Sequence, residues 1–110
     1  MNFRQTIIYQ RSLELNGLAR DLIASFPVGY GFLTDQLRRA ASSVTLNFAE
    51  GCGKSSPRDQ RRFFMIARGS AYEVAAVFDL AKTWKILDPA AMEHGHEICD
   101  HLAGMLYKYR

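Results

Sequence analysis

The chain has 110 residues, of which 48% are hydrophobic and 23% charged, a composition typical of a folded domain and not of a disordered segment. Fourteen Lys and Arg against eleven Asp and Glu give a formal net charge of +3, which permits contact with a polyanion but does not require it. We therefore expect a single domain, residues 1–110, built around one modest core.

The sequence carries weak indications of the cellular compartment, and these agree with one another. The N-terminal residues lack the apolar segment and cleavage site of a secretory signal, and no apolar run approaches the roughly 20 residues that span a bilayer. Cys52 and Cys99 form no CxxC pair, which is typical of a reducing compartment. Lys54 lies close to Cys52 and could lower the pKa of its thiol. We expect a cytoplasmic protein without membrane contact.

Four segments place apolar residues at helical spacing, and the intervals between them are rich in Gly, Pro and Ser. The first helix should begin at about Thr6 and is stopped by Pro27. In the second, Thr34 is a candidate N-cap, and Gly51 and Gly53 supply the permissive backbone of a helix end. The predicted core stripes are Ile8, Leu15, Leu18, Ala19, Leu22 and Phe26 in the first helix, and Leu37, Ala40, Ala41, Val44 and Phe48 in the second.

The third segment has the clearest start signal, with Ser56 as N-cap and Pro57 at the first helical position, and it should extend to about Ile86. Asp88 and Pro89 repeat this signal for the fourth helix. Strand patterns are absent and the connections are short, so the sequence predicts an all-α fold, an antiparallel up-down-up-down four-helix bundle. The predicted core stripes are Phe63, Ala67, Ala71, Val74, Phe78 and Ala81 in the third helix, and Met92, Gly95, Cys99, Leu102, Leu106 and Tyr109 in the fourth.

The third helix carries more apolar residues than one buried stripe needs. At about 100° per residue, a second row falls on the side away from the core, with a carboxylate among its apolar members. Exposed rows of this kind mark partner surfaces, so we expect self-association. The alternative is that Trp84 and Leu80 pack under the Tyr30 loop or the N-terminal arm. The row consists of Ile66, Glu73, Val77, Leu80 and Trp84.

Basic residues cluster around the connection between the second and third helices, with two more on the second helix. Guanidinium groups pair bidentately with phosphate oxygens, and a helix N-terminus adds a positive dipole end, so these residues are a candidate nucleic-acid-binding surface. A solvated charged face is the alternative. A ring of identical subunits would repeat the patch and sum its potential. The candidates are Arg38, Arg39, Lys54, Arg58, Arg61, Arg62 and Arg68.

Patterns for catalysis or metal binding are weak. His94, Glu97 and His101 share one side of the fourth helix, but a solvated face accounts for them better than a metal site. Glu50 and Glu73 have no nucleophile, phosphate loop or metal-ligand spacing beside them. We expect a protein that is not an enzyme and that holds no cofactor or metal.

Three stretches carry a family resemblance: LTDQLRRAASSV, NFAEGCGKSS and FMIARGSAYEV. They resemble the four-helix-bundle proteins that are encoded within intervening sequences of bacterial 23S ribosomal RNA genes and at other bacterial loci. The strong match covers residues 33–74, while the first and last helices match in pattern only. The family's motifs fall on Gln36 to Ala40, on Asn47 with Ala49, Glu50 and Gly51, and on Ala67 with Gly69 and Ser70.

The resemblance implies a cytosolic bundle that can assemble into a five-membered ring and has no established catalytic activity. A distant relative that looks similar in fold, the accessory protein of diversity-generating retroelements, is a basic pentameric barrel that binds nucleic acid and a reverse transcriptase. This sequence departs from the usual family pattern at Lys54, where arginine is commoner. We expect a homo-oligomer, a pentamer by resemblance, that binds RNA or DNA and has a reverse transcriptase as a further candidate partner. The alternative is a protein–protein scaffold without nucleic-acid binding.

Overall fold

A computed structural model describes residues 2–109, and every regular element in this range is helical. A short 3-10 helix, Phe3–Gln5, precedes four α-helices: α1 (Ile7–Ser25), α2 (Gly31–Cys52), α3 (Pro57–Thr83) and α4 (Pro89–Lys108). The body measures 44 × 22 × 19 Å, and its length is set by α3, whose 27 residues span about 40 Å. Within the described residues, none of the helices combines the length and the apolar surface that crossing a membrane requires.

Contacts between consecutive helices show that neighbours run in opposite directions. For each pair of consecutive helices, the contacts move toward the N-terminus of the second helix as they move toward the C-terminus of the first. α1 also packs against α4, which closes the four helices into a bundle. The predicted antiparallel architecture is therefore confirmed. The contacts are Ser12 with Thr45 and Asn16 with Ala41 between α1 and α2, Ser43 with Ser70 and Phe48 with Phe64 between α2 and α3, and Arg68 with Ala103 and Asp79 with His96 between α3 and α4.

Side-chain caps fix the starts of three helices. Thr6, Ser56 and Asp88 each accept a hydrogen bond from a backbone N–H in the first turn of the helix that follows. Proline occupies the first turn of α3 and of α4, where its missing N–H costs nothing. These three starts agree with the prediction because capping is a local property of the sequence.

Two predicted helix boundaries are wrong. α2 begins at Gly31, three residues before Thr34, and the Thr34 hydroxyl donates to the Gly31 carbonyl oxygen inside the helix instead of capping it. α3 ends at Thr83 and not near Ile86, because the chain turns at Lys85, which adopts a left-handed φ of 63°.

The core contains the predicted stripe of α2 in full and most of the other three stripes. Two exceptions belong to the stripe of α1, two to that of α4 and one to that of α3. Phe64 is fully buried there, whereas Phe63 is only half-buried, so the predicted choice between these two neighbours is wrong. Val77, which was assigned to the exposed row, is 4% exposed and belongs to the core. Leu18, Phe26, Met92 and Tyr109 pack against the core but remain partly exposed.

A partly buried chain of hydrogen bonds joins α1 to α2. The Asn16 side-chain amide donates to the Ala41 carbonyl oxygen (2.9 Å) and to Thr45 Oγ1 (3.1 Å). Thr45 Oγ1 donates to Ser12 Oγ (2.9 Å), which donates to the Tyr9 carbonyl oxygen (2.7 Å). Across residues 2–109 no buried side-chain nitrogen or oxygen lacks a partner, so none incurs the penalty of about 1–3 kcal/mol for an unpaired polar group.

Candidate functional site

Positive charge is concentrated in residues 54–68, here called the basic segment. It holds five basic side chains and one acidic one, so its net charge of +4 exceeds the +3 of the whole chain. The segment covers the connection after α2 and the first half of α3, whose N-terminus carries the positive end of the helix dipole. In the described part of the chain, none of its arginines has a carboxylate partner; they are Arg58, Arg61, Arg62 and Arg68.

Two of these arginines present their charge to solvent. Arg58 and Arg62 are both exposed, and the Arg62 guanidinium carbon lies 4.4 Å from the centroid of the Phe63 ring. Lys54 Nζ lies 5.2 Å from the same ring, and it also pairs with the Glu50 carboxylate at 3.3 Å. The charge of Lys54 is therefore partly neutralised, whereas those of Arg58 and Arg62 are available to a ligand.

The other two arginines, Arg61 and Arg68, lean toward α4 and pack on tyrosines. Arg61 Nη1 donates to the Tyr107 carbonyl oxygen (2.5 Å), and Arg68 Nε donates to the Ala103 carbonyl oxygen (3.2 Å). The guanidinium carbons of the two arginines lie 5.2 and 5.0 Å from the centroid of the Tyr107 ring. The Arg68 guanidinium carbon also lies 4.9 Å from the centroid of the Tyr72 ring, and Arg68 Nη2 donates to the Tyr72 hydroxyl (2.8 Å).

Neither tyrosine was among the site residues predicted from the sequence. The i, i+4 spacing of Arg68 and Tyr72 is a local signal that could have revealed one of them, because such residues are neighbours on a helix surface. Tyr107 lies on another helix, so its contact with Arg61 depends on how α4 aligns with α3. A depression of about 660 Å³ opens beside this contact, with Gln60, Arg61, Tyr107 and Lys108 among its lining residues.

Arg38 and Arg39 lie on α2, away from the connection at which the basic segment begins. Arg38 pairs with Asp35 at 3.2 Å one turn earlier on α2, and Arg39 is exposed. Arg39 is 13 residues from Cys52 at the end of α2, which corresponds to about 20 Å along the helix axis. The structure thus divides the seven candidate basic residues into two groups.

An apolar surface lies along the outer side of α2 and α3. The Trp84 ring contacts the rings of Tyr30 and Phe32 edge to face, with centroids 6.4 and 6.3 Å apart, yet Trp84 remains 55% exposed. Packing against the Tyr30 loop, the alternative considered for Trp84, therefore occurs but covers only part of the ring. Leu80 is exposed as well.

Further residues extend this surface along both helices. Ile66 and Glu73 are exposed on α3, and the described residues offer Glu73 no ion-pair partner. Leu46 is exposed on α2, where its spacing of 14 residues from Phe32 places both on one side of the helix. Val77 is the one member of the predicted row that lies elsewhere. We call the exposed set the apolar flank: Phe32, Leu46, Ile66, Leu80 and Trp84.

Glu97 and His101, two of the three residues predicted to share one side of α4, interact with Arg11 of α1. Arg11 Nε donates to His101 Nδ1 (3.1 Å), and the Arg11 guanidinium also pairs with Glu97 (3.5 Å) and with Glu14. His94 lies on the exposed side of α4. Among residues 2–109, no three His, Cys, Asp or Glu side chains are arranged to hold a metal ion.

Burial controls the chemistry of both cysteines. Burial raises the pKa of the Cys52 thiol, so the lowering expected from Lys54 is not found. Burial also raises the pKa of Cys99 to about 12, and the nearby Asp100 carboxylate adds to the rise. Both groups are therefore protonated near neutral pH, where a thiol is a weak nucleophile.

Comparison with known proteins agrees with this architecture. The family model described as 23S rRNA-intervening sequence protein matches residues 4–108. No curated protein sequence matches the chain. Among solved structures, the chain is similar to a protein of unknown function from the S23 ribosomal protein family of Bacteroides thetaiotaomicron, with a TM-score of 0.84 and 18% identity over 91% of this chain and 94% of that one. At this identity the likeness concerns the fold.

Proposed function

The chain belongs to the family of 23S rRNA-intervening sequence proteins, and we propose that it acts as a non-catalytic, self-assembling subunit that binds RNA or DNA through the basic segment. The observation that carries the proposal is the net charge of +4 in residues 54–68, with four arginines that have no carboxylate partner among the described residues. On an ordinary solvated helix face, opposite charges tend to alternate and pair. Unneutralised guanidinium groups beside a helix N-terminus favour phosphate oxygens as partners.

Binding of this kind involves the nucleic-acid backbone. Arg58 and Arg62 offer bidentate donors on an exposed helical surface, and phosphate contacts carry no sequence information by themselves. We therefore expect slight sequence preference and a steep dependence of affinity on salt, because each neutralised phosphate releases condensed counterions.

The apolar flank supports the self-assembly part of the proposal. Ile66, Glu73 and Leu80 repeat at intervals of seven residues, the spacing with which helices form long seams with partner helices. A second subunit would cover the exposed apolar rings and could supply a cation for Glu73. The family resemblance favours a pentamer, in which the basic segment would occur five times and its potentials would sum.

A protein–protein scaffold without nucleic-acid binding is the second candidate. The apolar flank favours it, because an exposed apolar surface calls for a protein partner whether or not nucleic acid is bound. A reverse transcriptase is the partner to which the resemblance points. This candidate predicts the same assembly but no affinity for polyanions.

The nucleic-acid proposal is tested by the double substitution Arg58→Ala/Arg62→Ala. Among the described residues these side chains make no hydrogen bond, ion pair or ring contact between α3 and α4, unlike Arg61, so the bundle should stay intact. Fluorescence anisotropy with a labelled duplex at 50 and 200 mM salt should show weaker binding and a salt slope smaller by about one to two units. The control Arg20→Ala/Lys82→Ala removes equal charge at exposed positions elsewhere and should leave the slope unchanged.

Two results would contradict the proposal in different ways. If the wild-type protein shows no binding at 50 mM salt to either duplex or single strand, nucleic-acid binding is refuted and the scaffold remains. If the Arg58→Ala/Arg62→Ala variant keeps the wild-type slope, the phosphates are bound somewhere other than the basic segment.

Self-assembly is tested by light scattering on the purified protein, which should give a mass several times 12.5 kDa. Trp84→Ala and Leu80→Ala should shift this mass downward, because they remove apolar contact area from the proposed interface. Leu13→Ala is the matched control, since Leu13 on α1 is 43% exposed and Leu80 is 48% exposed. A uniform mass of 12.5 kDa at micromolar concentration would refute self-assembly.

A further inference from the structure

The surface between α3 and α4 carries an alternating row of guanidinium groups and aromatic rings, in the order Arg61, Tyr107, Arg68, Tyr72. We infer that this arginine–tyrosine row binds single-stranded nucleic acid by stacking with its bases, an inference that rests on the nucleic-acid binding proposed above. Aromatic rings and guanidinium planes are the groups on which unpaired bases stack in proteins that bind single strands.

The row has the dimensions and the exposure that such binding needs. Arg61 and Tyr72 are eleven residues apart on α3, a separation of about 16 Å along the helix axis. A stacked strand advances about 3.4 Å per nucleotide, so the row can lie against roughly five nucleotides. Tyr107 is 55% exposed and Tyr72 is 50% exposed, so each residue keeps about half of its surface open to a ligand although guanidinium groups pack on both rings.

The arginines of the row are held in place before any ligand arrives. Arg68 donates to Ala103 and to Tyr72, and its guanidinium packs on two rings, while Arg61 donates to Tyr107. A side chain that is already ordered loses less conformational entropy on binding. Within the described residues these contacts occupy one N–H of Arg61 and two of Arg68, and each guanidinium has five. The remaining N–H groups can donate to phosphates.

The aromatic component favours single strands over duplexes. In a duplex the faces of the bases are stacked on each other, and a protein reaches only their edges and the backbone. Exposed tyrosine rings gain nothing from such a ligand, whereas an unpaired base offers its face to them. Arg58 lies one turn before Arg61 on α3, and the depression beside Arg61 has Lys108 in its lining, so a strand on the row can continue toward these two cations.

The test compares Tyr107→Leu with Tyr107→Phe. Leucine removes the ring but leaves the backbone carbonyl that Arg61 uses, and phenylalanine keeps the ring as a matched control. The probes are labelled 12-nucleotide oligo(dT) and oligo(U) and a 12-base-pair duplex. Tyr107→Leu should weaken the binding of both strands about tenfold, leave duplex affinity within about twofold and keep the salt slope, because it removes stacking but no charge.

A spectroscopic readout separates stacking from a structural effect. The fluorescence of 2-aminopurine in the strand should fall on binding to the wild type and to Tyr107→Phe, and should stay high with Tyr107→Leu at saturating protein. Circular dichroism should show equal helix content in all three proteins, since the Tyr107 side chain is half exposed.

The outcomes distinguish the stacking row from nucleic-acid binding in general. Strand affinity and 2-aminopurine quenching that are unchanged by Tyr107→Leu would overturn the inference while leaving the basic segment as the binding site. An equal loss of strand and duplex affinity would also overturn it, because Tyr107 would then only position the arginines. If the wild type binds none of the three probes, the proposed function itself fails.

Discussion

Gly95 in α4 lies against the ring of Phe78 in α3, and the substitution Gly95→Ala tests how closely these helices must approach. A Cβ atom built at residue 95 would have three carbon atoms of the Phe78 ring within 3.0 Å. Carbon atoms in ordinary van der Waals contact are about 3.5–4.0 Å apart. The methyl group therefore cannot be accommodated unless the ring or one of the helices moves.

The magnitude follows from two opposing terms. Replacing glycine by alanine in a helix interior stabilises the helix by about 1 kcal/mol. Overpacking a well-filled core costs about 1–3 kcal/mol, and the upper part of this range applies because Phe78 is fully buried. The net effect should be a loss of about 1–2 kcal/mol in the free energy of unfolding, or roughly 4–8 °C in Tm.

Gly104→Ala on the same helix is the control. A Cβ there would meet no atom within 4 Å, so only the gain in helix propensity applies, up to about 1 kcal/mol. Urea unfolding followed by circular dichroism, with both variants at one protein concentration, measures the difference.

Phe78→Leu should cost less stability in the Gly95→Ala background than in the wild type, since it makes room for the methyl group. A Gly95→Ala protein as stable as Gly104→Ala would refute the close approach.

Two further predictions concern pH and capping. The folded state holds the Cys99 proton up to a pKa of about 12, above the usual 9.0, so this group's contribution to stability is complete below pH 9 and is lost at about 1.4 kcal/mol per pH unit as pH rises from 9 toward 12. Urea unfolding between pH 8 and 11 should therefore be less pH-dependent in Cys99→Ala than in the wild type, and parallel curves would contradict the burial of the thiol. Ser56→Ala removes the hydroxyl that accepts the Asp59 N–H and should lower the free energy of unfolding by about 1 kcal/mol, whereas an unchanged urea midpoint would mean that the cap contributes nothing.

Features that depend on neighbouring residues were predictable from the sequence. The caps Ser56 and Asp88 and the buried stripe of α2 follow from capping preferences and from the helical period, and both rules act within a few turns. The start of α2 at Gly31 has no side-chain cap. Its first turn instead packs through Phe32 on Trp84, a contact that local rules do not contain.

Features that depend on where other helices lie were not predictable. Val77 stands at the border between the core stripe of α3 and its exposed side, and the packing of the neighbouring helices leaves it only 4% exposed. The charge of the basic segment is visible in the sequence. The packing of Arg61 and Arg68 on Tyr107 is not, because it requires the alignment of α4 on α3 across some 40 residues of chain.

The hydrogen-bonded chain of Asn16, Thr45 and Ser12 also selects one alignment of α1 on α2. Apolar stripes recur with every turn, so α1 could slip by one turn, about 5.4 Å, and still bury its leucines. Such a slip would take the three polar groups away from their partners at a cost of about 1–3 kcal/mol each. The hydrogen-bonded chain adds little net stability to the native bundle, but it excludes the slipped alignment of α1. Every copy of the chain then presents the same outer surface, which a repeating assembly would require.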